Sequence, residues 1–183
     1  MLRAVCAGFL LAIAAPAALA IEIERLSAEV VAGVYRVEFE ARLGARPDAV
    51  ARVLTDYAAY ATLDPQIRRS EVEAVAPGGD TRIRTRILAC AGLFCRYVDR
   101  VEMVRAEPGV LVAVVLPALS DLSHGRARTE WHAEEGGTRL SYSAEFEPRF
   151  WVPALIERRY APRMLEESVL TVFTNVERRA RGE

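Results

Sequence analysis

The sequence predicts an α+β domain in which one long antiparallel sheet is wrapped on a C-terminal helix. Apolar and polar residues alternate from Ile67 to Glu147 in runs separated by Gly- and Pro-containing turns, the pattern of an antiparallel meander. From Pro153 to Arg179 the apolar residues recur at helical spacing instead. Ahead of both stand one alternating strand and two short helical stretches. A sheet that buries one face needs a cover, and the last helix is the only element long enough to supply it. The expected order is strand, helix, helix, six strands, helix, with about seven strands in all.

Val34 to Leu43 puts Tyr35, Val37, Phe39, Ala41 and Leu43 on one face and Arg36, Glu38, Glu40 and Arg42 on the other, as a half-buried strand does. Ile21 to Ala28 shows no such period and reads as a short lead. Pro47 suits a first helical turn, where its missing N–H would be unpaired anyway, and Val50, Val53, Leu54 and Tyr57 follow at i, i+3, i+4 and i+7. A second short helical stretch runs from Tyr57 to Asp64 and stops before Pro65. The meander strands read as 67–75, 81–89, 95–106, 110–116, 123–133 and 138–147. In the final helix Leu155, Ile156, Tyr160, Met164, Leu165, Val169, Val172, Phe173 and Val176 form one stripe, and Pro162 should kink or restart it.

Composition narrows function by exclusion. The 183 residues carry 24 basic and 25 acidic side chains, a net charge of −1, with the signs interspersed, which argues against a polyanion-binding protein. Every basic residue is arginine, so Schiff-base and P-loop chemistries that need a lysine fall away.

The first twenty residues read as an export signal: Arg3, an apolar run from Ala4 to Ala15, Pro16, and small residues before a cut between Ala20 and Ile21. An uncleaved membrane anchor is the alternative, but the run is short for a spanning helix. Residues 21–183 would form one soluble, exported domain, with the periplasm the expected compartment. Its two cysteines, Cys90 and Cys95, flank a Gly-containing turn between two strand-like runs. A disulfide across a hairpin fits an oxidising compartment and would stabilise the fold by about 2 kcal/mol. Two free thiols are the plain alternative. Zinc would need two further ligands, and His124 and His132 lie together on a charged strand face. No metal or other cofactor is expected.

Several segments resemble the START-like, helix-grip superfamily, in its polyketide cyclase/dehydrase and coenzyme Q-binding branch. They are Ala45-Arg46-Pro47-Asp48-Ala49-Val50, Val53-Leu54-Thr55-Asp56-Tyr57 with Tyr60, and Gly137-Thr138-Arg139-Leu140-Ser141-Tyr142. Phe146-Glu147-Pro148 and Trp151-Val152-Pro153, leading into the last helix, complete the set. The resemblance covers essentially all of residues 21–183 and implies an apolar cavity between sheet and helix. It specifies the fold better than the ligand, because one scaffold hosts carriers, enzymes and regulators.

Alternation then assigns the pocket wall. Ile83, Thr85 and Ile87 are expected inward on one strand, with Tyr97, Asp99, Val101 and Met103 on the next. Gly125, Ala127, Thr129 and Trp131 share a face, Tyr142 belongs to another inward set, and Met164 and Val172 come from the helix. The small residues at 125, 127 and 129 would leave volume unfilled, unless the helix packs closer there. Asp99 is the candidate polar anchor or general base, or a solvated residue if a bulge follows the Cys turn. Ser120-Asp121-Leu122-Ser123-His124 clusters triad residue types in one loop, which reads as turn chemistry.

The leading expectation is an exported carrier that binds a hydrophobic molecule such as a lipid, quinone or isoprenoid, with transient membrane contact and no nucleic acid. A cyclase/dehydratase-type enzyme using the same pocket comes second, and an envelope interaction module without a ligand third. Trp151 would rim the cavity, pack the helix start, or touch a membrane or partner.

Overall fold

The computed structural model describes residues 21–91 and 94–183; the first twenty residues, on which the expected export signal falls, and residues 92 and 93 between the cysteines lie outside them. One antiparallel sheet of eight strands has the order β1-β2-β8-β7-β6-β5-β4-β3. Its strands are β1 (Glu22–Val31), β2 (Val34–Leu43), β3 (Ile67–Val75), β4 (Thr81–Ala91), β5 (Phe94–Glu107), β6 (Val110–Val115), β7 (Leu122–Glu134) and β8 (Gly137–Pro148). Helix α1 (Pro47–Thr55) and a 3-10 turn (Tyr57–Thr62) join β2 to β3, and α2 (Ala154–Arg159) and α3 (Ala161–Ala180) close the chain.

The sheet has eight strands where the sequence reading has about seven, because the lead before Val34 is itself a strand. β1 pairs with β2 along its length, but its register slips between Ile23 and Arg25. That bulge breaks the period-two pattern by one residue, so the apolar positions of β1 fall out of phase with one another. The expected kink at Pro162 is a break: α2 ends at Arg159 and α3 restarts at Ala161 with Pro162 in its first turn.

The core lies between the concave sheet face and α3. Phe39, Leu140, Phe173 and Val176 are essentially inaccessible to water, and the Phe39 and Phe173 rings stack with centroids 4.9 Å apart. Polar contacts fix the helix against its surroundings. The Gly44 N–H donates to Glu177 Oε1 at 2.8 Å, Ser168 Oγ donates to Asp64 Oδ2 at 2.5 Å, and Asn175 Nδ2 donates to the Leu63 carbonyl at 2.8 Å. A smaller cluster of Val98, Val115 and Leu122, backed by Phe146 and Phe150, fills the other end of the concave face. The gap between these two packed regions is where the cavity lies.

Candidate functional site

The cavity opens between the cysteine end of the β4–β5 hairpin, the β8–α2 connection and the N-terminal half of α3. Its volume is about 470 Å³, within the range of small-molecule sites. Sheet residues Val37, Ile87, Val98 and Phe146 and helix residues Met164, Leu165 and Val169 make a mostly apolar wall. Pro148 and the run from Phe150 to Pro153 line the mouth together with Arg96, whose guanidinium lies 3.8 Å from the centroid of the Phe150 ring. Cys90 and Cys95 are joined as a disulfide and line the same opening.

The polar end is built by β5 and β8. Arg100 lines the cavity, and its Nε lies 3.1 Å from Glu102 Oε2, a carboxylate buried beneath it on the same strand face. Arg100 Nε also donates to Thr85 Oγ1 at 3.3 Å. Both contacts run through Nε, which leaves the terminal amino groups as donors for an occupant. Burial disfavours the charged guanidinium, but the attraction of Glu102, helped by Tyr142 and Tyr60, overrides it and holds Arg100 above its ordinary pKa. Burial pushes the Tyr142 hydroxyl up from the usual phenol range, so it stays protonated and serves as a hydrogen-bonding group rather than a base. At the far wall the Tyr35 hydroxyl donates to Glu157 Oε1 at 3.4 Å, and burial followed by the Glu157 charge raises its pKa as well. The assembly can hold an elongated apolar molecule and offer fixed donors to a polar group at its inner end.

Of the residues assigned from sequence, Ile87, Tyr142 and Met164 line this cavity. Ile83 and Thr85 share their face but are sealed in the core, and Val172 packs against the same core. Gly125, Ala127, Thr129 and Trp131 lie on the concave face away from the cavity wall. The space expected above Gly125 is already filled, since a Cβ there would meet Val115 Cγ2 at 2.5 Å. Trp131 instead joins the main core.

The β5 assignment is inverted. The register pairs Ile87 with Val98, Thr85 with Arg100 and Ile83 with Glu102, and directly opposed residues share a face. The even-numbered residues therefore face the cavity, and Tyr97, Asp99, Val101 and Met103 point to the convex side. Tyr97 is solvent-exposed beneath the Arg86 guanidinium, and Asp99 is ion-paired with Arg86, whose Nε lies 3.1 Å from Asp99 Oδ1. Val101 is fully buried, but outside both clusters of the concave face. Asp99 is thus a surface ion-pair partner, not a cavity base. The expected Ser120–His124 loop ends at Asp121, with Leu122 to His124 on β7, and it holds β5 in place through bonds from Ser120 Oγ to the Asp99 carbonyl and from the Asp99 N–H to Asp121 Oδ2. His124 is exposed and bonded to Glu145, away from that cluster.

Sequence reasoning missed Arg100, Glu102 and Val98, and a signal for them was present. Cys90 and Cys95 pair directly across the hairpin. A disulfide between opposed residues fixes the register of both strands, and counting back from it puts Val98 opposite Ile87.

A family model for polyketide cyclase/dehydrase and lipid transport matches residues 35–181. The chain belongs to that family. Solved structures share the fold at low identity. A START superfamily protein from Mycobacterium smegmatis is 14% identical with a TM-score of 0.62, covering 80% of this chain and 97% of that one. The Zhui aromatase/cyclase from Streptomyces sp. R1128 is 19% identical with a TM-score of 0.63, covering 81% and 94%. A STAR-related lipid transfer protein from Xanthomonas axonopodis is 16% identical with a TM-score of 0.60, covering 85% and 97%. No curated protein matches the chain. At these identities the likeness shows the helix-grip architecture and leaves the ligand to be argued from the cavity.

Proposed function

We propose that the protein is an exported carrier for a hydrophobic small molecule, a lipid, quinone or isoprenoid, held between the sheet and α3. The observation that carries this reading is the 470 Å³ cavity with an apolar wall and a single arginine-centred polar end. Apolar burial, at about 25 cal/mol per Å², supplies the driving force, and Arg100 with Tyr142 orients the polar group. Ile87, Val98, Phe146 and Met164 would contact the apolar body. The hairpin disulfide and the N-terminal signal pattern support export.

A cyclase/dehydratase reading draws on the family description and on the aromatase/cyclase of the same fold. It lacks its base: Asp99 sits on the convex face, and burial keeps Tyr142 protonated.

Saturable binding tests the carrier reading. An environment-sensitive apolar fluorophore should load in about one-to-one ratio and be displaced by a long-chain fatty acid or a quinone analogue. Absence of saturable loading would sink the proposal. Fractionation with N-terminal sequencing tests export, which predicts a periplasmic chain beginning at Ile21.

A further inference from the structure

The two most exposed large apolar side chains of the described residues, Trp151 at 82% and Leu155 at 67%, stand four residues apart beside the cavity mouth. Neither packs on the core, although Ile156, next in the chain, lines the cavity. In α2, Arg158 and Arg159 follow Leu155 at i+3 and i+4, on its side of the helix, and both are exposed. Arg149 and Arg163 flank the segment and are exposed too.

These arginines differ from most others in the chain. On the sheet surface most arginines are matched with carboxylates, as in Arg25 with Glu38, Arg42 with Glu24 and Arg105 with Asp80. Among the described residues, Arg149, Arg158, Arg159 and Arg163 have no such partner. The one carboxylate within the segment, Glu157, accepts from Tyr35. A chain with a net charge of −1 thus gathers unmatched positive charge around an exposed Trp and Leu at the entrance to an apolar cavity. An indole sits well at the boundary between headgroups and acyl chains, and arginines beside it attract lipid phosphates.

We propose that the segment from Arg149 to Arg163 docks on an anionic lipid bilayer and turns the cavity mouth toward it. Trp151 and Leu155 enter the interfacial layer, while Arg158 and Arg159 contact phosphates. The proposal rests on the carrier reading, and it names the surface from which the carrier takes or to which it gives its cargo.

Cosedimentation of the purified protein with vesicles tests it. Binding should be clear on phosphatidylcholine mixed with phosphatidylglycerol, weak on phosphatidylcholine alone, and strongly reduced in about 0.5 M salt. The variant L155S/R158Q/R159Q, whose positions do not line the cavity, should bind at least roughly tenfold more weakly while keeping its thermal midpoint. Tryptophan emission gives a second readout. The protein has 2 tryptophans, and Trp131 is already buried, so a blue shift on vesicle addition reports Trp151 and should vanish in Trp151→Phe.

No binding to anionic vesicles, equal salt-insensitive binding to both compositions, or unchanged binding by the triple variant would overturn docking. Probe loading without vesicles separates the two ideas. Loading without vesicle binding defeats docking alone, whereas vesicle binding without loading leaves docking standing and defeats the carrier reading.

Discussion

Arg100 and Glu102 stand two residues apart on β5, both toward the concave face, with guanidinium Nε and carboxylate Oε2 at 3.1 Å. Glu102 is 5% exposed, whereas Arg100 reaches the cavity, so the carboxylate supports a cation presented to the occupant. Removing one member strands the other. Glu102→Leu should cost about 2 kcal/mol, at the lower side for a buried pair because Arg100 keeps some solvent contact. The double change R100M/E102L should recover most of that stability and still lose affinity for cargo with a polar head. Urea denaturation and probe titration on the three variants check both halves; equal stability of Glu102→Leu and wild type would remove the pair from the account.

Gly125 and Val115 pack against each other on the concave face, outside the cavity wall. With a Cβ at 125 placed 2.5 Å from Val115 Cγ2, and Val115 itself buried, Gly125→Ala should destabilise by about 1–2 kcal/mol through overpacking. The pair Gly125→Ala and Val115→Ala should cost less than the sum of the single changes, because each relieves the other. Additive effects in denaturant melts would mean that the two side chains do not compete for the space.

Glu177 gives stability a pH dependence of known sign. Burial raises its pKa above the ordinary carboxylate value, against the opposing effects of the Gly44 N–H and Arg181. A raised carboxylate means that the folded state holds its proton more tightly than the unfolded chain. That contribution is complete below the unfolded pKa and is lost as pH rises through the folded one. Glu177→Gln keeps an acceptor for Gly44 without the charge, so its thermal midpoint relative to wild type should improve from about pH 4 to pH 7. A constant difference across that window would contradict the assignment.

Much of the architecture was legible in the sequence because it rests on period. β2 reads directly from Tyr35 to Leu43, α3 from Met164 to Val176, and the β4 face from Ile83, Thr85 and Ile87. Three features were hidden, each for a physical reason. The bulge between Ile23 and Arg25 dephased β1. On β5 both faces carry apolar residues, and the cavity face carries Arg96, Arg100 and Glu102, so a rule that sends charges outward picks the wrong side. At Gly125 a missing side chain suggested a void, but small residues make room for neighbours as readily as for ligands, and Val115 takes the space. The register that resolves β5 lay in the Cys90–Cys95 pair.

Whether the cavity holds cargo is the central claim, and native mass spectrometry of wild type beside Met164→Trp tests it most directly. Met164 is half-buried on the cavity wall, so a bulkier indole at that position should occupy cavity volume. Gently purified wild type should carry a noncovalent hydrophobic adduct, and Met164→Trp should lose it while keeping its thermal midpoint. An adduct-free wild type under conditions that preserve noncovalent complexes, or the same adduct on both proteins, would contradict the account.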